Sequence, residues 1–203
     1  MSETAPDPET GPRPMPPIQR LVALFLPQVV FLVVAFVLGA LIGAPPFARF
    51  AVTPDALLHG LAGALGLVGI MTAFQAMAPK LAQEASATSI EMMRRANVTL
   101  TWPLILTMSA AAGLCEEALF RGVLQTWSDG ILPLWAAILL PALLFSVLHF
   151  YSVLYVLIVF PIALYLGGLF AITDNLFIVI IAHALYDVFG LWNVRRAMAA
   201  EGA

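Results

Sequence analysis

The ten residues GLCEEALFRG, at positions 113–122, contain two glutamates and an arginine within six consecutive positions, 116–121. The sequence on both sides is apolar enough for the interior of a membrane. Ionisable side chains in such surroundings are costly, and they usually face an interior cavity and mark a functional site. The stretch therefore predicts a polar site inside a bundle of hydrophobic helices.

The composition of the whole chain supports this interpretation. Of the 203 residues, 62% are hydrophobic and 10% are charged, whereas a soluble domain carries about a quarter charged residues. The mean hydropathy of +0.97 is typical of a membrane protein with several spans. We therefore expect an all-α membrane protein, with about six transmembrane helices around a polar cavity, a lipid bilayer around it and no nucleic acid as a partner. The single cysteine, Cys115, excludes a disulfide within the chain.

Six apolar stretches are predicted to be membrane spans, because each has about the 20 residues that a span needs. They cover residues 20–43, 56–77, 99–127, 132–150, 152–172 and 176–194. Residues 80–97 are too polar for a span and are predicted to form an interfacial helix. Residues 1–17 are rich in proline and are predicted to be a disordered tail. The remaining chain divides into an N-terminal part with two spans and the interfacial connector (18–98) and a core (99–196).

The basic residues are sorted by these predicted spans. With six spans, Arg49 falls on one side of the membrane. Seven others fall on the opposite side: Arg13, Arg20, Lys80, Arg94, Arg95, Arg195 and Arg196. Because cytoplasmic loops carry an excess of Lys and Arg, both termini are predicted to be cytoplasmic. The short loops and the alanine- and leucine-rich spans favour a bacterial inner membrane.

Six ionisable residues within three of the predicted spans are the candidate site residues. They are Glu116, Glu117, Arg121, His149, His183 and Asp187. Glu117 and Arg121 are four residues apart, so they share a helix face and can form an ion pair. Glu116 is rotated by about 100° from its neighbour, so it can face a cavity. His183 and Asp187 are again four residues apart and share a face of the last span.

Three motifs occur in a fixed order: Glu-Glu-x-x-x-Arg (116–121), Phe-x-x-x-His (145–149) and His-x-x-x-Asp (183–187). Together they resemble the CPBP family, also called ABI, which contains the type II CAAX prenyl endopeptidases and bacteriocin-processing or immunity proteins. EEALFRG (116–122) is closely similar to the first motif of that family. The resemblance covers about residues 99–194. It implies an intramembrane endopeptidase that acts on a membrane-associated or lipidated peptide or protein substrate.

The resemblance also implies roles for the candidate residues. Glu116 and His149 would share a water molecule, and Glu116 would act as its general base. His183, supported by Asp187, would face the oxyanion that forms when the water attacks the peptide carbonyl. The pairing of Glu117 with Arg121 would fix the helix face that carries the base.

A metal version of this mechanism uses the same residues. Glu116, His149 and His183 offer one oxygen and two imidazole ligands, a set compatible with a divalent metal such as zinc and a bound water. The residues leave both versions open. No pair of histidines four residues apart presets a zinc site, which favours the metal-free version.

Two features of the sequence conflict with the simplest form of this mechanism. The third motif of the family often ends in asparagine, which can donate a hydrogen bond to an oxyanion, whereas an ionised Asp187 cannot. Counted from the nearest turns, Glu116, His149 and His183 lie at depths of about 18, 27 and 13 Å. Straight parallel helices would not bring them together, so convergence requires tilt, a kink at Pro141 or a later start of the fourth span.

Two other functions are compatible with the sequence. A non-catalytic immunity or scaffold protein would keep the fold for binding, and the aspartate at position 187 favours it. A small proton-coupled transporter is disfavoured, because the two halves of the chain show no inverted repeat. Other intramembrane proteases are excluded by absent motifs: Gly-x-Ser-Gly, His-Glu-x-x-His and Gly-x-Gly-Asp do not occur.

Overall fold

A computed structural model describes residues 16–201, and within this range the chain is helical, without strands. The helices are α1 (Pro17–Ile42), α2 (Pro54–Met77), α3 (Pro79–Arg95), α4 (Trp102–Asp129), α5 (Leu134–Leu148), α6 (Val153–Thr173) and α7 (Leu176–Glu201). The predicted all-α membrane fold is confirmed. The predicted tail, residues 1–17, lies outside the described residues except for its last two positions.

Most of the predicted spans are present as long helices. Within residues 16–201, five helices are long and apolar enough to cross a membrane: α1, α2, α4, α6 and α7. The fourth predicted span, residues 132–150, is shorter than expected, because α5 has only 15 residues. That length corresponds to about 22 Å, against a hydrocarbon core of about 30 Å. α5 therefore does not cross the membrane by itself.

Contacts between the described chain ends define one end of the bundle, here called the Arg20 end. Arg20, near the start of α1, donates to the carbonyl oxygen of Asn97 at 2.8 Å. The guanidinium of Arg195, near the end of α7, lies 5.6 Å from the ring centre of Trp102. The first and the last helix therefore have their outer ends on the same side of the bundle. The polar helix α3, which precedes Asn97, also lies at this end.

The opposite end, here called the Arg49 end, is held together by an ion-pair group. The Arg49 guanidinium lies 2.8 Å from Asp174 and 3.8 Å from Asp129. These residues follow α1, end α6 and end α4, respectively, so all three helices finish on this side. The chain leaves α4 and enters α7 at the Arg49 end. It therefore runs away from this end through α5 and residues 149–152 and comes back to it through α6. Arg49 thus lies at the opposite end of the bundle from Arg20 and Arg195, which agrees with the arrangement predicted for six spans.

Close helix contacts place the last helix against the opening motif. A methyl group added to Gly113 would lie 2.9 Å from the carbonyl oxygen of Ile180, so the backbones of α4 and α7 touch there. Gly60 of α2 approaches the Ile181 side chain in the same way, with its hypothetical Cβ at 2.8 Å. Small residues at helix interfaces permit this approach. α7 is therefore packed closely between α2 and α4 at residues 180 and 181, just before His183.

The middle of α4, Ala118–Gln125, is π-helical. Such segments are rare and often occur at functional sites. Gly122 lies against the loop after α1, where any added Cβ would clash with the carbonyl oxygen of Pro46. The π-helical segment begins directly after Glu117. It thus separates the helical turn that carries the two glutamates from the turn that ends at Asp129.

Candidate active site

A cavity of about 620 Å³ lies among the helices, and all seven of them contribute to its walls. It extends from the middle of the bundle toward the Arg20 end, where Ala82 of α3 and Ala197 of α7 line it. Four of the six candidate residues line this cavity, and they come from α4, from the end of α5 and from α7. They are Glu116, His149, His183 and Asp187.

Glu116 faces both histidines with the same carboxylate oxygen. Its Oε2 lies 3.7 Å from Nε2 of His149 and 3.9 Å from Nε2 of His183. These distances exceed that of a direct hydrogen bond, and at such separations a water molecule can contact both groups. The Glu116 residue is only 4% exposed. The three side chains therefore surround one small polar space on the cavity wall.

Glu117 belongs to a separate group on the adjacent side of α4, here called the Glu117 cluster. Its Oε1 accepts from Nη1 of Arg121 at 2.9 Å and lies 2.7 Å from Nδ1 of His183. Nη2 of Arg121 donates to the carbonyl oxygen of Ala163 on α6 at 2.6 Å. Glu117 and Arg121 are 0% and 1% exposed. The cluster thus ties α4, α6 and α7 together inside the bundle, and His183, to which Glu117 is bound, also lines the cavity.

The partners of the two Nδ1 atoms determine what the two Nε2 atoms can do. Nδ1 of His149 lies 2.7 Å from the carbonyl oxygen of Phe145. A carbonyl only accepts, so this nitrogen carries a proton, and Nε2 of the neutral ring is left with a free lone pair. The ring also stacks on Phe145, with centroids 4.3 Å apart. Nδ1 of His183 carries a proton for a similar reason, because it faces the carboxylate of Glu117, and Nε2 then accepts in the neutral ring and donates in the imidazolium.

Asp187 lies beside the outward nitrogen of His183. Its Oδ2 is 3.5 Å from Nε2 of that ring, and 28% of its side chain is exposed. The sequence predicts that Asp187 supports His183, but the atom bound to Nδ1 belongs to Glu117. The ring is therefore oriented from behind by Glu117, and Asp187 approaches the same side as Glu116. Spacing within α7 could not reveal this, because Glu117 is 66 positions away in the chain.

Gln28 of α1 is part of the site, and the sequence interpretation missed it. Its Nε2 donates to Oε1 of Glu116 at 2.8 Å. A signal was present, since Gln28 is the only polar side chain between Leu21 and Ile42. A lone amide in an apolar span needs a partner, and the sequence does not identify which helix supplies it.

The unequal depths predicted for the three reactive groups do not keep them apart. α5 begins at Leu134, later than the expected start near residue 132. Fewer helical residues therefore precede His149, and its estimated depth is smaller. The remaining difference means that the helices are staggered or inclined against one another. The close contact between Gly113 and Ile180 fixes the position of α7 along the axis of α4.

Glu116, His149 and His183 are also the candidate ligands for a metal. The donor types suit zinc, since one carboxylate oxygen and two imidazole lone pairs face a common space. Their spacing is wider than a metal site, and within residues 16–201 no group of three His, Cys, Asp or Glu side chains is placed to hold a metal ion. The observed spacing therefore supports no step through a metal.

Comparison with known proteins addresses the core of the chain. Residues 98–189 match a family model described as "Rce1-like: Type II CAAX prenyl endopeptidase Rce1-like". Comparisons with curated proteins and with solved structures give no match. The matched segment contains all three motifs and excludes α1, α2 and α3. The resemblance to the CPBP family is thereby confirmed for the core that carries the two glutamates and two histidines, and this core is similar to the Rce1-like, type II CAAX prenyl endopeptidases.

Proposed function

We propose that this chain is an intramembrane endopeptidase that hydrolyses peptide bonds of membrane-associated or lipidated peptides, with Glu116 as the general base. The family match supports a protease, that is, a hydrolase. The observation that carries the proposal is the convergence of Nε2 of His149 and Nε2 of His183 on Oε2 of Glu116, at 3.7 and 3.9 Å, on the wall of a cavity inside membrane helices.

The first step is the attack of water on the peptide carbonyl. A water held between Glu116 and His149 loses a proton to the Glu116 carboxylate, and its oxygen forms the new bond to the carbonyl carbon. Nε2 of His149 accepts a hydrogen bond from the other hydrogen of this water. This contact orients the oxygen lone pair that attacks the carbonyl carbon. The Phe145 carbonyl, which holds Nδ1 of His149, keeps the ring in the required tautomer.

The second step is the collapse of the tetrahedral intermediate. The negative oxygen is stabilised by His183, which in its imidazolium form donates from both nitrogens: Nδ1 to Glu117 and Nε2 to the oxyanion. The carboxylates of Glu117 and Asp187 flank these nitrogens at 2.7 and 3.5 Å, an arrangement that suits a cationic ring. The carbon–nitrogen bond then breaks, and the leaving amine takes the proton that Glu116 received.

The Glu117 cluster supplies the rigid support that this chemistry needs. Reacting groups must be held close to their productive geometry by partners whose own positions are fixed. Arg121 links Glu117 to the Ala163 carbonyl of α6, and Glu117 in turn holds His183. Glu117 and Arg121 are therefore positioning residues that do not touch the substrate.

A metal-assisted version remains the alternative for the same residues. Glu116, His149 and His183 would hold the ion, which would supply Lewis-acid activation of the water. The wide spacing of these groups favours the metal-free version. In either version we place the Arg20 end, with its basic residues, in the cytoplasm of a bacterial cell, so the cavity receives substrate from that side.

A non-catalytic scaffold or immunity protein is a second candidate, and the position of Asp187 favours it. Its carboxylate lies 3.5 Å from the nitrogen that would face the oxyanion. An ionised carboxylate there competes for the donor and repels a developing negative charge. This candidate predicts a folded protein without turnover.

The decisive test compares wild type with Glu116→Gln, purified in detergent or reconstituted in liposomes, on a library of membrane-associated peptides. Losing a general base costs about 10²–10⁴-fold in rate, so we expect E116Q to lose at least that much in kcat. Its Tm should stay near that of wild type, since the amide fills the same volume. Equal turnover of both proteins, or none from folded wild type, would rule out the proposed enzyme.

A further inference from the structure

Gln28 lies outside the segment that matches the family, yet it contacts the proposed general base directly. Its amide nitrogen is 2.8 Å from Oε1 of Glu116. The rest of α1 from Leu21 to Ile42 is apolar. Placing an amide in such a span costs free energy unless it finds a hydrogen-bond partner. The contact with Glu116 therefore accounts for the presence of a polar residue at this position.

The chemistry of the two groups decides which end of the amide faces the glutamate. An ionised carboxylate only accepts hydrogen bonds, so it binds the amide nitrogen of Gln28 and not its oxygen. A hydrogen bond to a charged acceptor is about twice as strong as one between neutral groups. The amide nitrogen is therefore a suitable partner for the carboxylate that a general base requires.

The backbone of α1 is fixed close to this contact. Phe31 and Ala35 follow Gln28 by three and seven positions and lie on the same helix face. The Phe31 ring packs edge-on against Phe120 of α4, with centroids 6.0 Å apart, and Ala35 is fully buried. α1 is therefore held against α4 one turn away from the amide. A side chain on a fixed backbone has little freedom to leave its partner.

We propose that Gln28 is a positioning residue for the reaction, an inference that rests on the proposed function of Glu116. Its hydrogen bond occupies Oε1 of the carboxylate and leaves Oε2 directed at the two histidine rings. The amide oxygen of Gln28 is buried and has no hydrogen-bond partner within residues 16–201. Nothing in this range therefore draws the amide away from Glu116. The site is complete only when α1 joins the matched core.

The test measures steady-state kinetics of Gln28→Met, which keeps the length of the side chain and removes the donor. We expect kcat to fall about tenfold or more, because a hydrogen bond to a charged group is lost. KM should change by less than about twofold, since the amide does not contact the substrate. The matched control is Gln19→Met, the same change on the exposed start of the same helix, and it should leave kcat and Tm unchanged.

A second variant tests the donor independently and serves if Q28M does not fold. In Gln28→Glu, the new carboxyl repels Glu116 when ionised and donates to it when protonated. The ratio of the Q28E rate to the wild-type rate should therefore rise about tenfold between about pH 8 and pH 5.5. A purely structural role for the side chain would give a ratio that does not depend on pH.

The outcomes separate this inference from the proposed function. A wild-type kcat in Q28M, a loss that appears only in KM, or a flat Q28E ratio would overturn the positioning role. If E116Q still abolishes turnover in those experiments, the peptidase proposal stands without Gln28. If E116Q retains wild-type turnover, the proposed function itself fails, and the role of Gln28 fails with it.

Discussion

Glu116 and Glu117 are adjacent in the chain, but the structure places them in opposite surroundings. Glu117 is 0% exposed and enclosed by Arg121 and His183 at hydrogen-bonding distance. Glu116 lines the cavity, and its Oε2 has two imidazole nitrogens near it at 3.7 and 3.9 Å without a direct bond. Oε1 of Glu117 is held by two protein side chains, whereas Oε2 of Glu116 leaves space for a small molecule.

This difference indicates that the two carboxylates have different roles. A buried charge with strong partners contributes rigidity, and breaking its pair is costly. A carboxylate with an open coordination space can take and return a proton. His183 joins the two groups, since its Nδ1 faces Glu117 and its Nε2 faces Glu116. Substitutions in the Glu117 cluster should therefore affect stability, and substitutions around Glu116 should affect turnover.

The largest effect on stability is expected from Arg121→Met. Removing the guanidinium leaves the buried Glu117 without its cation, and breaking a buried pair costs about 3–5 kcal/mol. Unfolding in mixed micelles should show this loss, and E116Q should not. The double variant E117L/R121M should lose less than the sum of the two single losses. Additive losses would contradict the pairing.

A smaller effect is expected from Gly122→Ala in the π-helical segment. The added methyl group meets the rigid carbonyl of Pro46, and overpacking of this kind costs about 1–3 kcal/mol. Both Tm and kcat should fall, because the segment supports the Glu117 cluster. Gly69→Ala, where a methyl group meets nothing within 4 Å, is the matched control. Equal behaviour of the two alanine variants would show that the π-helical segment does not depend on this contact.

Asp187→Asn should change turnover with little effect on stability. The amide can donate to the oxyanion where an ionised aspartate cannot. A gain of one neutral hydrogen bond is worth about 1 kcal/mol, so kcat should rise roughly fivefold. Asp187→Ala supplies no donor and serves as the control. If D187N and D187A have the same kcat, position 187 does not contribute a donor to the oxyanion.

The smallest effect is expected from removing metal ions. The metal-free mechanism predicts unchanged kcat after treatment with 1,10-phenanthroline or EDTA, because Glu116 activates the water directly. A zinc protease treated in parallel shows that the chelator is active under the same conditions. Inactivation that added zinc reverses would replace the metal-free mechanism with the metal-assisted one.

Much of the fold was predictable because membrane spans follow from local composition. Five of the six apolar stretches predicted as spans are long helices, and the polar stretch predicted as an interfacial helix is the helix α3. The length of α5 was overestimated, because the predicted span, residues 132–150, included two residues before the helix begins at Leu134 and two after it ends at Leu148. Hydropathy does not indicate the residue at which the hydrogen bonding of a helix ends. The ion pair of Glu117 with Arg121 was also predictable, because spacing along one helix fixes it.

The contacts between different helices were not predictable in the same way. The bond from Gln28 to Glu116 joins residues 88 positions apart, and the bond from His183 to Glu117 joins residues 66 positions apart. Such pairs depend on how the helices are rotated and staggered. Those parameters come from close packing at small residues such as Gly60 and Gly113, whose neighbours the sequence does not identify.

The sequence alone determined that this chain is a helical membrane protein with two glutamates, an arginine, two histidines and an aspartate at intramembrane positions, and that its motifs resemble one family. Composition and spacing within a helix are local properties, so they can be deduced from the order of residues. Only the tertiary structure decided that Glu117 is enclosed, that Glu116 faces both histidines, and that Gln28 of α1 completes the site. Those facts depend on how separate helices pack, which is a property of the whole bundle.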